Sequence, residues 1–205
     1  MEREQALARI KELIGKDLRN LANTYDITVF REGRKNKGWA GQVIERYLGL
    51  PLSSAQAPNF GSWELKLCSL KYLRDGSLTI KETMAITMID PYNVANTEFE
   101  NSHLLTKLRK AVIAARIWIR QKEESSILHS VVTFDLGNSE VYDQVREDYD
   151  TVRNTIINEG FDALTGKMGV YIQPRTKGPG HGSTSRAFYA RTGFLKKFIF
   201  PRLST

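Results

Sequence analysis

Glu64 and Lys66 stand two apart in a largely apolar stretch from Trp63 to Leu73, and that spacing constrains how the stretch folds. Successive side chains of a β-strand point to opposite faces, so residues two apart lie together, about 6.5–7 Å along the chain. A strand over 63–73 therefore projects Glu64 and Lys66 side by side and turns Leu65 into a core. Arg74-Asp75-Gly76-Ser77 supplies a hairpin turn, and 80–89 reads as the partner strand.

The flanking segments supply the other layers. Ala6, Leu7, Ile10, Leu13, Ile14, Leu18 and Leu21 recur at helical spacing over 2–23, with a break near Gly15. A basic loop, 31–38, leads into a helix from Trp39 to Leu48, closed by Gly49 and Pro51. Residues 101–110 form a short helical segment carrying Lys107, Arg109 and Lys110. Strands are expected over 112–119 and 127–136, separated by a charged turn, and an amphipathic helix over 141–159 ends at Gly160. A short strand, 170–173, runs into a loop rich in glycine and base that extends to Ser183. With no internal repeat and no linker, the expected architecture is α/β (α+β): a mixed central β-sheet flanked by helices. The 205 residues suffice for one core-bearing domain, 1–205, with room for two lobes around a cleft, and are short for two domains.

Several classes of function drop out. Cys68 is the only cysteine, so no internal disulfide and no C-x-x-C metal site is possible; in an apolar run it reads as a buried, inert thiol. No stretch approaches the roughly 20 apolar residues that span a bilayer. The N-terminus is charged and leads into no signal-like apolar core, so a cytoplasmic location and no membrane partner are expected. No phosphate-binding Gly-x-x-x-x-Gly-Lys loop is present, which argues against ATP use. The net charge of +7 points to a polyanionic partner.

Pro58-Asn59-Phe60 ahead of Glu64-x-Lys66 is nearly the P-D…(D/E)-x-K signature of metal-dependent nucleases, with an amide where the leading carboxylate belongs. Phosphodiester hydrolysis calls for that grouping: carboxylates to hold Mg²⁺, and a cation near the attacking water or the charge that develops on phosphorus. Mg²⁺ takes only one or two protein carboxylates and keeps waters and substrate oxygens. Position 59 is where a second ligand is expected. E-x-K alone occurs by chance in many chains and on its own reads as an exposed strand pair; Pro58 and Phe60 lift it above that.

Five blocks then follow in order. They are Lys37-Gly38-Trp39 through Glu45 to Gly49; Trp63-Glu64-Leu65-Lys66; Glu98 to Lys107; Tyr171 to Gly178; and Arg191 to Lys197. Together they resemble the MutH family, which comprises mismatch-repair endonucleases and related GATC-cutting type II restriction enzymes. The resemblance implies a restriction-endonuclease-like fold, Mg²⁺ as cofactor and double-stranded DNA as partner. It also implies residue roles: Glu45 as the helix glutamate supporting the metal, Glu64 and Lys66 as ligand and catalytic lysine, and Lys107 as a second lysine at the scissile phosphate. Arg175, Thr176 and Lys177 match a DNA-contacting loop, and Phe194, near Lys196, matches an aromatic position that touches the recognition site.

The departure lies at the metal. Aligned without a gap, the family's aspartate falls on Ala57; with two residues deleted it falls on Asn59, which keeps Pro58 and Phe60 in place and is the preferred alignment. Asn offers a neutral carbonyl oxygen and alanine offers nothing, so weakened metal binding and cleavage are expected either way. Arg175, Lys177, His181 and Arg186 lie near clustered glycines that let backbone approach phosphate, while Lys35, Lys37 and Lys196/Lys197 add cations that position a protein on DNA. Trp39 and Trp63 are expected in the core, and the acidic set Glu140, Asp143, Glu147, Asp148 and Asp150 on a solvated helix face. The leading expectation is a sequence-specific, Mg²⁺-dependent type II restriction endonuclease, monomer or homodimer, impaired at position 59. The alternatives are a MutH-like nickase and a catalytically silent, sequence-specific DNA-binding protein.

Overall fold

The computed structural model describes residues 1–50, 62–120, 122–138, 140–177 and 184–203. Two short helices open the chain, α1 (Arg3–Lys11) and α2 (Leu18–Thr24). They are hinged at Gly15, whose φ of +82° is the left-handed conformation that a side chain disfavours. Asp17 caps α2 by accepting from Arg19 N. The stretch expected to be a loop holds a small antiparallel ribbon, β1 (Phe30–Arg31) with β2 (Arg34–Lys35). Helix α3 (Trp39–Tyr47) follows with Trp39, Ala40, Val43 and Ile44 buried.

Strand β3 (Glu64–Tyr72) leads into a turn in which the Asp75 carboxylate accepts from Ser77 N and Oγ. The expected partner strand over 80–89 is two strands. Only β4 (Leu78–Ile80) pairs with β3, and after Lys81 N donates to Ser69 O the chain leaves the sheet. Strand β5 (Met84–Ile89) then joins a different sheet, because Met84, Ile86 and Ile89 bury in the core cluster that also holds Cys68 and Leu70. Helices α4 (Pro91–Ala95) and α5 (His103–Arg109) come next, the latter capped by Ser102 Oγ accepting from Leu105 N. Strands β6 (Ala111–Ile117) and β7 (Leu128–Phe134), helix α6 (Tyr142–Glu159), and strands β8 (Ile172–Thr176) and β9 (Arg186–Ala190) precede a helical segment over 192–203.

The main sheet runs β4-β3-β6-β7. Its central pair, β3 and β6, is parallel, with Glu64 opposite Ala111 and Leu70 opposite Ile117; the outer pairings are antiparallel. The mixed central sheet with flanking helices is as expected. Every residue of β6 is buried, as a strand covered on both faces requires. One face packs Leu65, Val112 and Ala114 against α1–α3, together with Trp39 and Trp63, at 0% and 1% exposure. The other packs Cys68, Leu70, Ile113 and Ala115 against α5, α6 and the second sheet, ordered β5-β9-β8 and antiparallel throughout. Each large apolar side chain so buried contributes about 1.5–3 kcal/mol.

Candidate active site

The period of two places Glu64 and Lys66 on the β3 face that also presents Cys68 and Leu70, while Leu65 packs with the N-terminal helices. That face is covered. Helix α5 lies over it and brings Lys107, 4% exposed, onto Glu64, 2% exposed. Lys107 Nζ donates to Glu64 Oε2 at 3.0 Å, and Lys66 Nζ donates to Glu64 Oε1 at 2.7 Å. The expected pairing of Glu64 with Lys66 is present, with both side chains largely buried. Lys66 Nζ also donates to the carbonyl of Ile86, at 2.8 Å. Ile86 is the extra residue of a β-bulge, for the register of β5 against β9 skips from Ala85 to Thr87. The bulge leaves the Ile86 carbonyl beside the lysine instead of in a ladder.

A buried carboxylate must be compensated, and here two ammonium groups do so. Burial is the main influence on Lys66 and lowers its pKa from the ordinary lysine value; Glu64 opposes the change, and the charges of Lys107 and Lys177 reinforce it. A lysine so shifted comes closer to offering a neutral amine to water. Lys177, at the end of β8, is therefore within electrostatic reach of the cluster. Glu45 is half-buried near the C-terminal end of α3, which packs on β3. Asn59 and Ala57 lie outside the described residues. Among the described residues no group of three or more Asp, Glu, His or Cys side chains could hold a metal ion. Glu64 supplies one carboxylate of the kind Mg²⁺ uses, so this donor set fits a hard cation only with oxygens from elsewhere.

The cations expected to meet DNA divide. Lys37, Arg175, Thr176, Lys177 and Lys196 are exposed. Arg175 is steadied by Thr83 Oγ1 at 2.9 Å and by the Tyr189 ring, 5.7 Å from its Cζ. Arg186 lies on β9, opposite Thr176, with its guanidinium 5.4 Å over the Phe161 ring. His181 lies outside the described residues. Two expectations are corrected. Lys35 pairs with the buried Glu123 rather than standing ready for phosphate. Phe194 is fully buried, its ring packed on Phe134, Tyr171 and Phe198 at 5.5–5.9 Å, so it has no surface on which to touch DNA.

Two buried polar groups escaped the reading of the sequence. Glu123 accepts from Trp39 Nε1 at 2.6 Å, from Arg116 Nη2 at 2.9 Å and from Lys35, tying the first residue of α3 to the β6–β7 connection. Asp148, expected on a solvated face, is 2% exposed and accepts three consecutive backbone N–H groups, those of Val170, Tyr171 and Ile172, each at 2.7 Å. Its place on α6 beside buried Val145, Tyr149 and Val152 was the available signal.

Residues 48–154, just over half of the chain, match the model of the family described as DNA mismatch repair enzyme MutH. The chain is 25% identical to the type II restriction enzyme Sau3AI of Staphylococcus aureus over 93% of its own length, but it spans only 41% of that relative. It is also 25% identical to the DNA mismatch repair protein MutH of Escherichia coli O127:H6 and to that of Vibrio cholerae. Those matches cover 92% and 96% of this chain, and 81% and 94% of the relatives. A solved complex titled restriction endonuclease MvaI with cognate DNA substrate shows 14% identity over 95% of this chain and 96% of that one. Its TM-score of 0.38 is too low for the two backbones to be equated. By the family match, with both kinds of relative aligned across nearly its whole length, the chain belongs to the MutH-like family of endonucleases.

Proposed function

We propose that the protein is a sequence-specific DNA endonuclease of the type II restriction kind, acting in the cytoplasm, with its chemistry centred on Glu64, Lys66 and Lys107. The observation that carries this reading is the convergence of two lysines on one buried carboxylate, at 2.7 and 3.0 Å, in a chain of this family. A bound Mg²⁺ would polarise a phosphate oxygen and acidify a water. Glu64 would hold it, assisted by Glu45 and by the side chain at position 59. Lys66, its pKa lowered, orients the attacking water and takes its proton; Lys107 steadies the scissile phosphate. The products are a 3′-hydroxyl and a 5′-phosphate. Asn59 supplies no charge to the metal, so the chain as it stands cleaves slowly or not at all.

Arg175, Lys177, Lys37 and Lys196 hold the duplex through its phosphates, with Thr176 and Arg186 beside them, and binding weakens steeply with salt. Cutting both strands takes two subunits or two sequential nicks by a monomer. The near full-length match to MutH proteins, against 41% of Sau3AI, favours keeping a second reading, a nickase acting on hemimethylated sites. The test is digestion of methylated and unmethylated plasmids by Asn59→Asp and by the unaltered chain with Mg²⁺, followed by sequencing of the ends, with GATC the first site to inspect. Linear product supports the restriction reading and nicked circles the nickase. Site-specific binding with no cutting by Asn59→Asp refutes an endonuclease and leaves a DNA-binding protein.

A further inference from the structure

The chain between α6 and β8 folds around a carboxylate. Asp148 Oδ1 accepts from Val170 N and Oδ2 from Tyr171 N and Ile172 N, all at 2.7 Å, while Gln144 Nε2 reaches Oδ1 at 3.3 Å. Three successive N–H groups turned onto one anion need an unusual backbone, and Gly169 provides it with φ +74°. A Cβ there would sit 1.8 Å from Ile172 O and 3.2 Å from Asp148 Cγ, so only glycine closes the loop. Arg191, just past β9, completes the clamp: Nη2 donates to Gly166 O and Met168 O, at 2.8 and 2.9 Å, and its backbone N donates to Tyr171 O.

The clamp stands at the base of the β8–β9 ribbon. Ile172, the last residue held by Asp148, is the first of β8, and β8 ends in Arg175 and Thr176 with Lys177 next. At about 3.3 Å per residue, Arg175 lies roughly 10 Å and Lys177 roughly 17 Å beyond the latch. A strand fixed at one end sets where its far end presents its charges. The ribbon is also tied to the Glu64 site through the sheet: β9 pairs with β5, whose Ile86 carbonyl accepts from Lys66 at 2.8 Å.

We propose that Asp148 and Gly169 form a positioning latch that fixes the β8–β9 ribbon, so that Arg175 and Lys177 meet DNA phosphates in register with the Glu64 site. This rests on the DNA-acting reading above. Asp148→Asn keeps the size of the side chain but replaces one of the two oxygens with an amide that cannot accept; Gly169→Ala breaks the loop while leaving the carboxylate in place.

The test is the salt dependence of duplex binding, measured as the slope of log K against log salt for the unaltered chain, Asp148→Asn, Gly169→Ala and a remote core truncation, Leu13→Ala. Losing two phosphate contacts lowers the magnitude of the slope by roughly 2 and weakens binding on the order of tenfold at moderate salt. Both latch variants are expected to show this, and Leu13→Ala to bind with the original slope however much stability it loses. If the unaltered chain binds DNA and the latch variants keep its slope, the latch is refuted and the DNA reading stands. If the unaltered chain binds no duplex at low salt, both fall together.

Discussion

Lys107→Met isolates the buried ion cluster. Methionine retains an unbranched apolar stem of similar length and removes only the ammonium, leaving Glu64 Oε2 without its bond from Nζ at 3.0 Å. The two side chains are 5% and 2% exposed, so water does not readily replace the lost partner. Removing one member of a buried pair costs about 3–5 kcal/mol, because the remaining charge is stranded. Lys66 still holds Oε1 at 2.7 Å, which places the expected loss at the lower end, about 3 kcal/mol. For a chain of 205 residues this is a fall of about 6–12 °C in Tm. Thermal and urea unfolding followed by circular dichroism would measure it. Adding Glu64→Gln to Lys107→Met leaves the buried Lys66 ammonium without its carboxylate, so the double variant should regain no stability over the single one. A Lys107→Met protein within about 1 kcal/mol of the unaltered chain would mean the pair carries little of the energy assigned to it.

Two further outcomes follow from buried groups. Burial pushes the Glu123 carboxyl up, but the hydrogen bonds from Arg116, Lys35 and Trp39 outweigh it and hold the pKa below the ordinary value of 4.5. A carboxyl depressed on folding contributes stability that is present above the unfolded pKa and lost as pH falls through the folded one. The stability difference between the unaltered chain and Glu123→Gln should therefore be constant near neutral pH and shrink below about pH 4.5; a difference flat to pH 3 would contradict the network. The Cys68 thiol is buried and pushed up to about 12, so it should resist a thiol reagent at pH 8 until the protein unfolds. Rapid labelling of the native chain would place it elsewhere.

Much of this molecule is written in local pattern. The alternation in 63–73, the helical repeat before and after Gly15 and the glycine that ends α6 each act within one element, and each element formed where the pattern put it. What the sequence concealed depends on partners far along the chain. The 80–89 stretch reads as one apolar strand, yet it divides at Lys81–Thr83 because two sheets compete for its halves. The Ile86 bulge exists only against β9, and a backbone carbonyl leaves no mark in a sequence. The E-x-K motif and the family resemblance mark Glu64 and Lys107 as candidates; their contact exists only once α5 is brought beside the start of β3. Asp148 shows the converse: an acidic run on an amphipathic helix looks solvated unless one position falls on the buried stripe.

The proposed chemistry requires a divalent ion at Glu64 beside DNA. Titration of Mn²⁺ into Asn59→Asp bound to duplex DNA, followed by electron paramagnetic resonance, reads that site without requiring turnover. The expected result is an ion held at least about tenfold more tightly than by the unaltered chain, with the site lost when Glu64→Gln is added. Identical Mn²⁺ uptake with and without Glu64 would contradict a metal centre on this strand.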